Sequence, residues 1–141
     1  MVAKVTLEGA APRALIAGVL DLQYRENRDT AFGLLRDFTS PAKGPLVLVM
    51  ALLAIAAVAV AWWKRRRVAG LLEHAAFVLV VGGAIGNVID RFERGYVVDF
   101  IHVDHWPVFN VADVAICVGG ALVGLVMMRL TSPSPRPPLR S

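Results

Sequence analysis

The sequence has little charge for its size. Only 18% of its 141 residues are charged, whereas 57% are hydrophobic. That apolar share exceeds the roughly 45–50% found in ordinary soluble domains. Long runs without charge belong where lipid replaces water around the backbone. The composition therefore predicts an integral membrane protein in contact with membrane lipids.

Cysteine is almost absent as well. The single Cys117 cannot form an internal disulfide, and no nearby His or Cys is placed to activate it. It lies inside an apolar run, so we interpret it as a packing residue. A disulfide scaffold is excluded, and a thiol nucleophile is disfavoured.

The basic residues are not interleaved with stacking aromatic residues, despite a net charge of +4. A nucleic-acid partner is therefore not expected. Four of the basic residues, Lys64 to Arg67, directly follow an apolar run. That position is typical of the cytoplasmic end of a membrane span.

Three segments are long and apolar enough to span a bilayer, and they lie at residues 46–63, 68–89 and 111–130. The first of them ends in the tryptophan pair Trp62 and Trp63, as expected for an interfacial belt. The predicted fold is therefore mainly α and integral to the membrane. With the basic cluster in the cytoplasm, residues 90–110 face outward and the tail at 131–141 is a disordered cytoplasmic segment.

The first 45 residues contain no apolar region like that of a signal peptide. This orientation nevertheless places them outside, so we expect a further spanning helix upstream of Met1. Leu20, Leu22 and Tyr24 alternate with polar residues, a period of two that favours a strand. We therefore expect a small extracytoplasmic β region at residues 15–40, lying on the membrane surface.

Polar residues gather at one depth, the outer boundary of the predicted second and third spans. Such groups are costly there and serve function or pair with one another. Asn87 and Arg91 are four apart and share a helix face, and Asn110 and Asp113 are three apart and also share one. Asp99 follows the predicted loop from Phe92 to Val98. We therefore expect these side chains to converge.

Two carboxylates near a low-dielectric boundary are hard to ionise together, so one keeps a proton while the other is charged. Asp99 and Asp113 fit this pattern because they come from different elements. The charged one would take a proton from water, and the protonated one would bind the scissile carbonyl. Spacing alone leaves plainer interpretations open. Asp113 could serve only the helix dipole, and Asp90 could form an ordinary ion pair with an arginine.

Three sequence blocks resemble those of the signal peptidase II family. They are Asn27-Arg28-Asp29-Thr30-Ala31-Phe32-Gly33, the block from Gly82 to Arg91 that continues at Gly95 to Ile101, and Phe109-Asn110-Val111-Ala112-Asp113. The resemblance covers roughly residues 15 to 130. It implies a metal-free aspartic endopeptidase without a cofactor. Such an enzyme removes signal peptides from diacylglyceryl-modified prolipoproteins, as a monomer at the outer face of the bacterial inner membrane.

The resemblance also implies roles for individual residues. Asp99 and Asp113 fall on the family's catalytic pair, and Asp90 on a structurally important acid. Four residues match polar positions around the substrate or the aspartates: Asn27, Asn87, Arg91 and Asn110. Arg91 is expected to brace Asp90 or a backbone carbonyl. From the residues themselves, Gly82, Gly83 and Gly86 are expected to pack helices together.

The chain also departs from the family pattern. Members usually begin with a spanning helix that bears an Asp-Gln-x-x-Lys block, and Val2-Ala3-Lys4 resembles the end of that block. Arg28 and Asp29 stand where small residues are usual. The loop from Asp99 to Asp113 is short.

Two rival interpretations remain open at this point. In one, Asp99, His102, Asp104 and His105 bind a catalytic metal, although no His-Glu-x-x-His helix is present. In the other, the chain is a small non-catalytic membrane protein, such as a truncated relic or an assembly factor. Retention of both aspartates with flanking asparagines argues against the second interpretation.

Overall fold

A computed structural model describes residues 6–29, 40 and 42–131 of the chain. Residues 1–5, 30–39, 41 and 132–141 lie outside the described part. The expectations for the Val2-Ala3-Lys4 segment, for the end of the β region and for nearly all of the tail fall there.

Three helices dominate the described part of the chain: α1 at Lys43–Arg65, α2 at Leu71–Arg94 and α3 at Val111–Thr131. Each has the length and the apolar composition needed to cross a membrane. The prediction of a mainly helical membrane fold with three spans is confirmed. The helix α2 extends five residues beyond its predicted end at residue 89, through the polar positions Asp90 and Arg91 to Arg94.

A three-stranded antiparallel sheet accompanies the helices, with β1 at Arg13–Ile16, β2 at Leu20–Asn27 and β3 at Val97–Val103. The predicted β region is present as the hairpin of β1 and β2. The third strand was missed, since Val97 to Val103 was expected to be loop. It becomes a strand because it pairs with β2, where Asn27 lies opposite Val97 and Leu20 opposite Val103. The sequence separation of these partners hides the pairing from any local pattern.

The two tryptophans at the end of α1 have different environments. Trp62 stacks on Phe77 of α2 with ring centroids 4.3 Å apart, and its indole nitrogen donates to His74 Nδ1 at 3.1 Å. Trp63 is 62% exposed, and the guanidinium of Arg66 lies over its ring. Trp62 therefore joins two helices, whereas Trp63 has the exposure expected of an interfacial residue.

Glycine allows α2 and α3 to pack closely. A Cβ at Gly83 would lie 2.5 Å from the backbone oxygen of Ala112 and 2.9 Å from Ile116 Cγ1. At Gly86 the nearest atom would be Ala112 Cβ at 3.6 Å, an ordinary contact. Of the three glycines expected to pack helices, Gly83 is the one whose missing side chain the contact requires. The expectation is wrong for Gly82, where a Cβ would meet no atom of the described residues within 4 Å.

We therefore expect Gly83→Ala to destabilise the protein by about 1–3 kcal/mol, because a backbone oxygen cannot move aside as a flexible side chain can. Gly82→Ala is the matched control, since a Cβ there would meet no atom of the described part of the chain within 4 Å. Both changes bring the same gain in helix propensity. Thermal unfolding in one detergent at one scan rate measures the difference. Equal midpoints for the two variants would show that this contact does not hold the helices together.

Candidate active site

The strand β3 places Asp99 near the C-terminal end of α2 and the N-terminal end of α3. It begins two residues after Gly95, which ends α2 in the left-handed conformation at φ 79° and donates its N–H to the Arg91 carbonyl at 2.9 Å. Glycine is the residue that adopts this conformation without strain. The carboxylate of Asp90 accepts the N–H of Val98 at 3.2 Å. Asp90 therefore fixes the start of the strand, and Asp99 is left only 2% exposed.

Asp113 and Asn110 form a reciprocal cap at the N-terminus of α3. The Asn110 side-chain oxygen accepts the N–H of Asp113 at 3.1 Å. The Asn110 N–H in turn donates to Asp113 Oδ2 at 3.2 Å. This is the pattern of a capping box, and a negative charge is favourable at this end of a helix. Asp113 therefore stabilises the N-terminus of α3, the structural role that its spacing alone allowed. Its Oδ1 remains available to other groups.

Asparagine amides connect the two aspartates. The Asn110 amide nitrogen donates to Asp99 Oδ1 at 2.8 Å and to Asn87 Oδ1 at 3.1 Å. Asn87 then donates to Asp113 Oδ1 at 2.9 Å. The groups predicted to converge from the second span, the outer segment and the third span do meet. Asn110, only 5% exposed, lies at their centre.

Asn27 reaches the same cluster from the end of β2. Its amide nitrogen donates to Asp99 Oδ2 at 2.8 Å, and its side-chain oxygen accepts the N–H of Asp29 at 2.9 Å. The second contact, an Asx turn, fixes which end of the amide faces the carboxylate. Each oxygen of Asp99 and of Asp113 therefore accepts a hydrogen bond. An open cleft of about 220 Å³ lies beside the amides of Asn87 and Asn110.

Arg91 braces two backbone carbonyls. Its guanidinium donates to the Asp29 oxygen at 2.8 Å and to the Asn87 oxygen at 3.3 Å. Of the two expectations for this residue, the structure shows the contact with backbone carbonyls. Asp90 instead pairs with Arg94, one turn further along the same helix.

Burial raises the pKa of Asp99 above its ordinary value, because a charged carboxylate loses hydration in this position. The hydrogen bonds from Asn27 and Asn110 oppose the rise, the negative charge of Asp113 adds to it, and Arg91 opposes it. Asp99 thus keeps its proton to a higher pH than an exposed carboxyl would. The cluster can therefore hold one protonated and one charged carboxyl at the same time.

The four residues of the rival metal interpretation do not come together in the structure. Among the described residues no three His, Cys, Asp or Glu side chains are placed to hold a metal ion together. Asp99 and His102 are three apart on β3 and so point to opposite faces of the sheet. His102 Nδ1 instead contacts Asp21 Oδ2 at 3.0 Å, and the side chain of His105 is 90% exposed.

One ion pair at the edge of the cluster was not predicted from the sequence. Lys43 Nζ contacts the Asp29 carboxylate, and both side chains are largely buried, at 18% and 28% exposed. The sequence nevertheless contained an indication of this ion pair. Lys43 is a cation in the first turn of α1, where the helix dipole disfavours positive charge and where no acidic residue compensates it.

The chain is similar to known signal peptidases in sequence and to a known bacterial membrane enzyme in structure. The sequence model of a family described as signal peptidase (SPase) II matches residues 1–129. The lipoprotein signal peptidase of Syntrophomonas wolfei is 44% identical over 116 residues, which cover 82% of this chain and 73% of the relative. That of Geobacter sulfurreducens is 41% identical over 119 residues, covering 82% and 72%. A solved bacterial membrane enzyme superposes with a TM-score of 0.77 at 25% identity, covering 92% of this chain and 78% of the other.

Proposed function

Because the chain belongs to the signal peptidase II family, we propose that it is an aspartic endopeptidase that removes signal peptides from diacylglyceryl-modified prolipoproteins. The observation that carries the proposal is the position of Asn110. Its amide binds Asp99, and its backbone and side chain cap the helix that carries Asp113. A single residue thus sets the two carboxyl groups relative to each other, as a shared acid and base require.

Asp99 begins the reaction with the proton, a role supported by the upward shift of its pKa on burial. Asp113 begins charged and takes a proton from a water molecule as the water oxygen attacks the scissile carbonyl carbon. Asp99 donates its proton to the carbonyl oxygen as the tetrahedral intermediate forms. When the intermediate collapses, Asp113 gives its proton to the leaving nitrogen and Asp99 recovers a proton from the intermediate's hydroxyl, so the pair returns to its starting state.

The chain is a multi-pass membrane protein, and the proposal places the aspartates at the outer face of the bacterial inner membrane. The basic residues at the opposite end of α1 support this orientation. Leu15, Ile16 and Val19 of the hairpin are each more than 50% exposed, and Trp106 is 61% exposed. These apolar side chains support a sheet that rests on the membrane surface, where a lipid-anchored substrate presents its cleavage site.

The direct test is cleavage by the purified protein in detergent or lipid vesicles. A diacylglyceryl-modified prolipoprotein should be cut immediately before its lipidated cysteine, as identified by mass spectrometry. The matched control is the same precursor with that cysteine replaced by serine, which cannot be lipidated and should remain uncut. Cleavage should persist in the presence of a metal chelator. Failure to cut the lipidated precursor would contradict the proposal and would favour a non-catalytic membrane protein.

Asn27→Ala should move the alkaline limb of the pH–activity profile to higher pH. The bond from Asn27 favours the charged form of Asp99, so its loss raises the pKa of Asp99 further. If Asp99 starts protonated, the fall in kcat at alkaline pH occurs when it loses that proton, and this limb moves to higher pH. Measurement of kcat against pH for wild type and variant tests the assignment. A shift of the acidic limb instead would show that Asp99 is the charged partner.

A further inference from the structure

The Asp29 residue is held at three separate points. Its N–H is bound by the Asn27 side chain at 2.9 Å, its carbonyl oxygen by Arg91 at 2.8 Å, and its carboxylate by Lys43. These contacts come from β2, α2 and α1 respectively. Backbone and side chain of one residue therefore connect three elements around the aspartate cluster.

The contact between Asp29 and Asn27 determines how Asn27 meets Asp99. An asparagine amide has a donor end and an acceptor end, and only the donor end suits a carboxylate. Because the acceptor end is occupied by the Asp29 N–H, the donor end faces Asp99 Oδ2 at 2.8 Å. A displacement of the Asp29 backbone would therefore weaken the bond between Asn27 and Asp99.

Lys43 lies in the first turn of α1, where a cation does not stabilise the helix. A positive charge at a helix N-terminus is unfavourable, and the largely buried lysine loses hydration as well. The Asp29 carboxylate compensates both costs. Because the two residues lie 14 positions apart in the sequence, their contact also fixes the end of β2 against the start of α1.

We propose that Asp29 and Lys43 are positioning residues, whose ion pair holds the end of β2 so that Asn27 stays hydrogen-bonded to Asp99. This inference rests on the proposed peptidase function. Neither residue touches the reacting atoms, so the pair acts through the geometry of Asn27. Its loss should lower kcat more than it raises KM, because neither residue lines the open cleft beside Asn87 and Asn110.

Few groups among the described residues face Asp99, which makes a pH readout interpretable. Asn27 comes from β2, Asn110 and Asp113 from the start of α3, and Arg91 from α2. Arg25, opposite Asp99 in the sheet register, has an exposed side chain. If the ion pair acts only through Asn27, breaking it must change the pH profile in the direction that Asn27→Ala does.

The test compares Asp29→Asn, Lys43→Gln and the exchanged pair Asp29→Lys with Lys43→Asp in the prolipoprotein assay. Each single variant should lose kcat on the order of tenfold and shift the same limb of the pH profile as Asn27→Ala, by a smaller amount. The exchanged pair should recover most of the lost kcat. Arg65→Gln is the matched control, because it breaks the ion pair with Glu73 at the other end of α1 and should leave the profile unchanged.

Folding is checked by thermal unfolding of every variant. The double variant Asp29→Asn with Lys43→Met removes both charges and so leaves no unpaired ion, and it should still show the lowered kcat. Wild-type kcat and an unchanged pH profile in the folded variants would overturn the inference while the proposed function stands. Absence of cleavage by the wild-type protein would instead reject the proposed function.

Discussion

Asp99→Asn and Asp113→Asn are each expected to lower kcat for prolipoprotein cleavage on the order of 10³-fold, near the upper range for loss of a general acid or base. An amide can neither give up nor take the proton that the reaction moves. It nevertheless keeps the volume of the carboxyl group and one acceptor oxygen, so the surrounding asparagines retain part of their network. Single-turnover cleavage of a lipidated precursor measures the loss, and thermal unfolding verifies that each variant is folded.

Asp104→Asn is the control for this pair. It removes a carboxylate in the turn after β3, where the side chain is 57% exposed and contacts His105, which is 90% exposed. Its activity should match that of the wild type. Turnover that persisted in both folded variants, Asp99→Asn and Asp113→Asn, would exclude the aspartic mechanism, since no proton could pass through the pair. Loss in only one of the two variants would show that a single carboxyl group carries the chemistry.

The helices and much of the site were predictable because the sequence signals for them are local. A run without charge predicts a span, and spacings of three and four residues place Asn87 with Arg91 and Asn110 with Asp113. The C-terminal end of the second span was less predictable. Hydropathy ends it at residue 89, whereas the backbone continues as helix to Arg94 because Asp90 and Arg94 pair along its surface.

The third strand and the contacts of Arg91 could not be predicted from local patterns. The residues of β3 acquire their structure from β2, some 70 positions earlier, and the same pairing brings Asn27 to Asp99. Only the family resemblance pointed to Asn27 beforehand. The interpretation of Arg91 was left between a carboxylate and a carbonyl, because the side chain can reach both and the choice depends on where the end of β2 lies.

Asn110→Ala is expected to lower kcat on the order of 10²-fold, since it removes a bond to Asp99 and the connection to Asn87 together. It also removes the cap of α3, which should cost about 1 kcal/mol of stability. The bond from Asn110 lowers the pKa of Asp99. Its loss should therefore move the alkaline limb of the pH profile to higher pH, as expected for Asn27→Ala.

Asn110→Ser separates the two roles of this residue. Serine is as good a helix cap as asparagine, so the unfolding midpoint should return close to that of the wild type. Its hydroxyl is too short to reach Asp99 and Asn87 as the amide does, so kcat should stay as low as in Asn110→Ala. Recovery of kcat together with stability would mean that Asn110 acts only by holding the start of α3. Recovery of stability alone would show that the amide itself sets the two aspartates for catalysis.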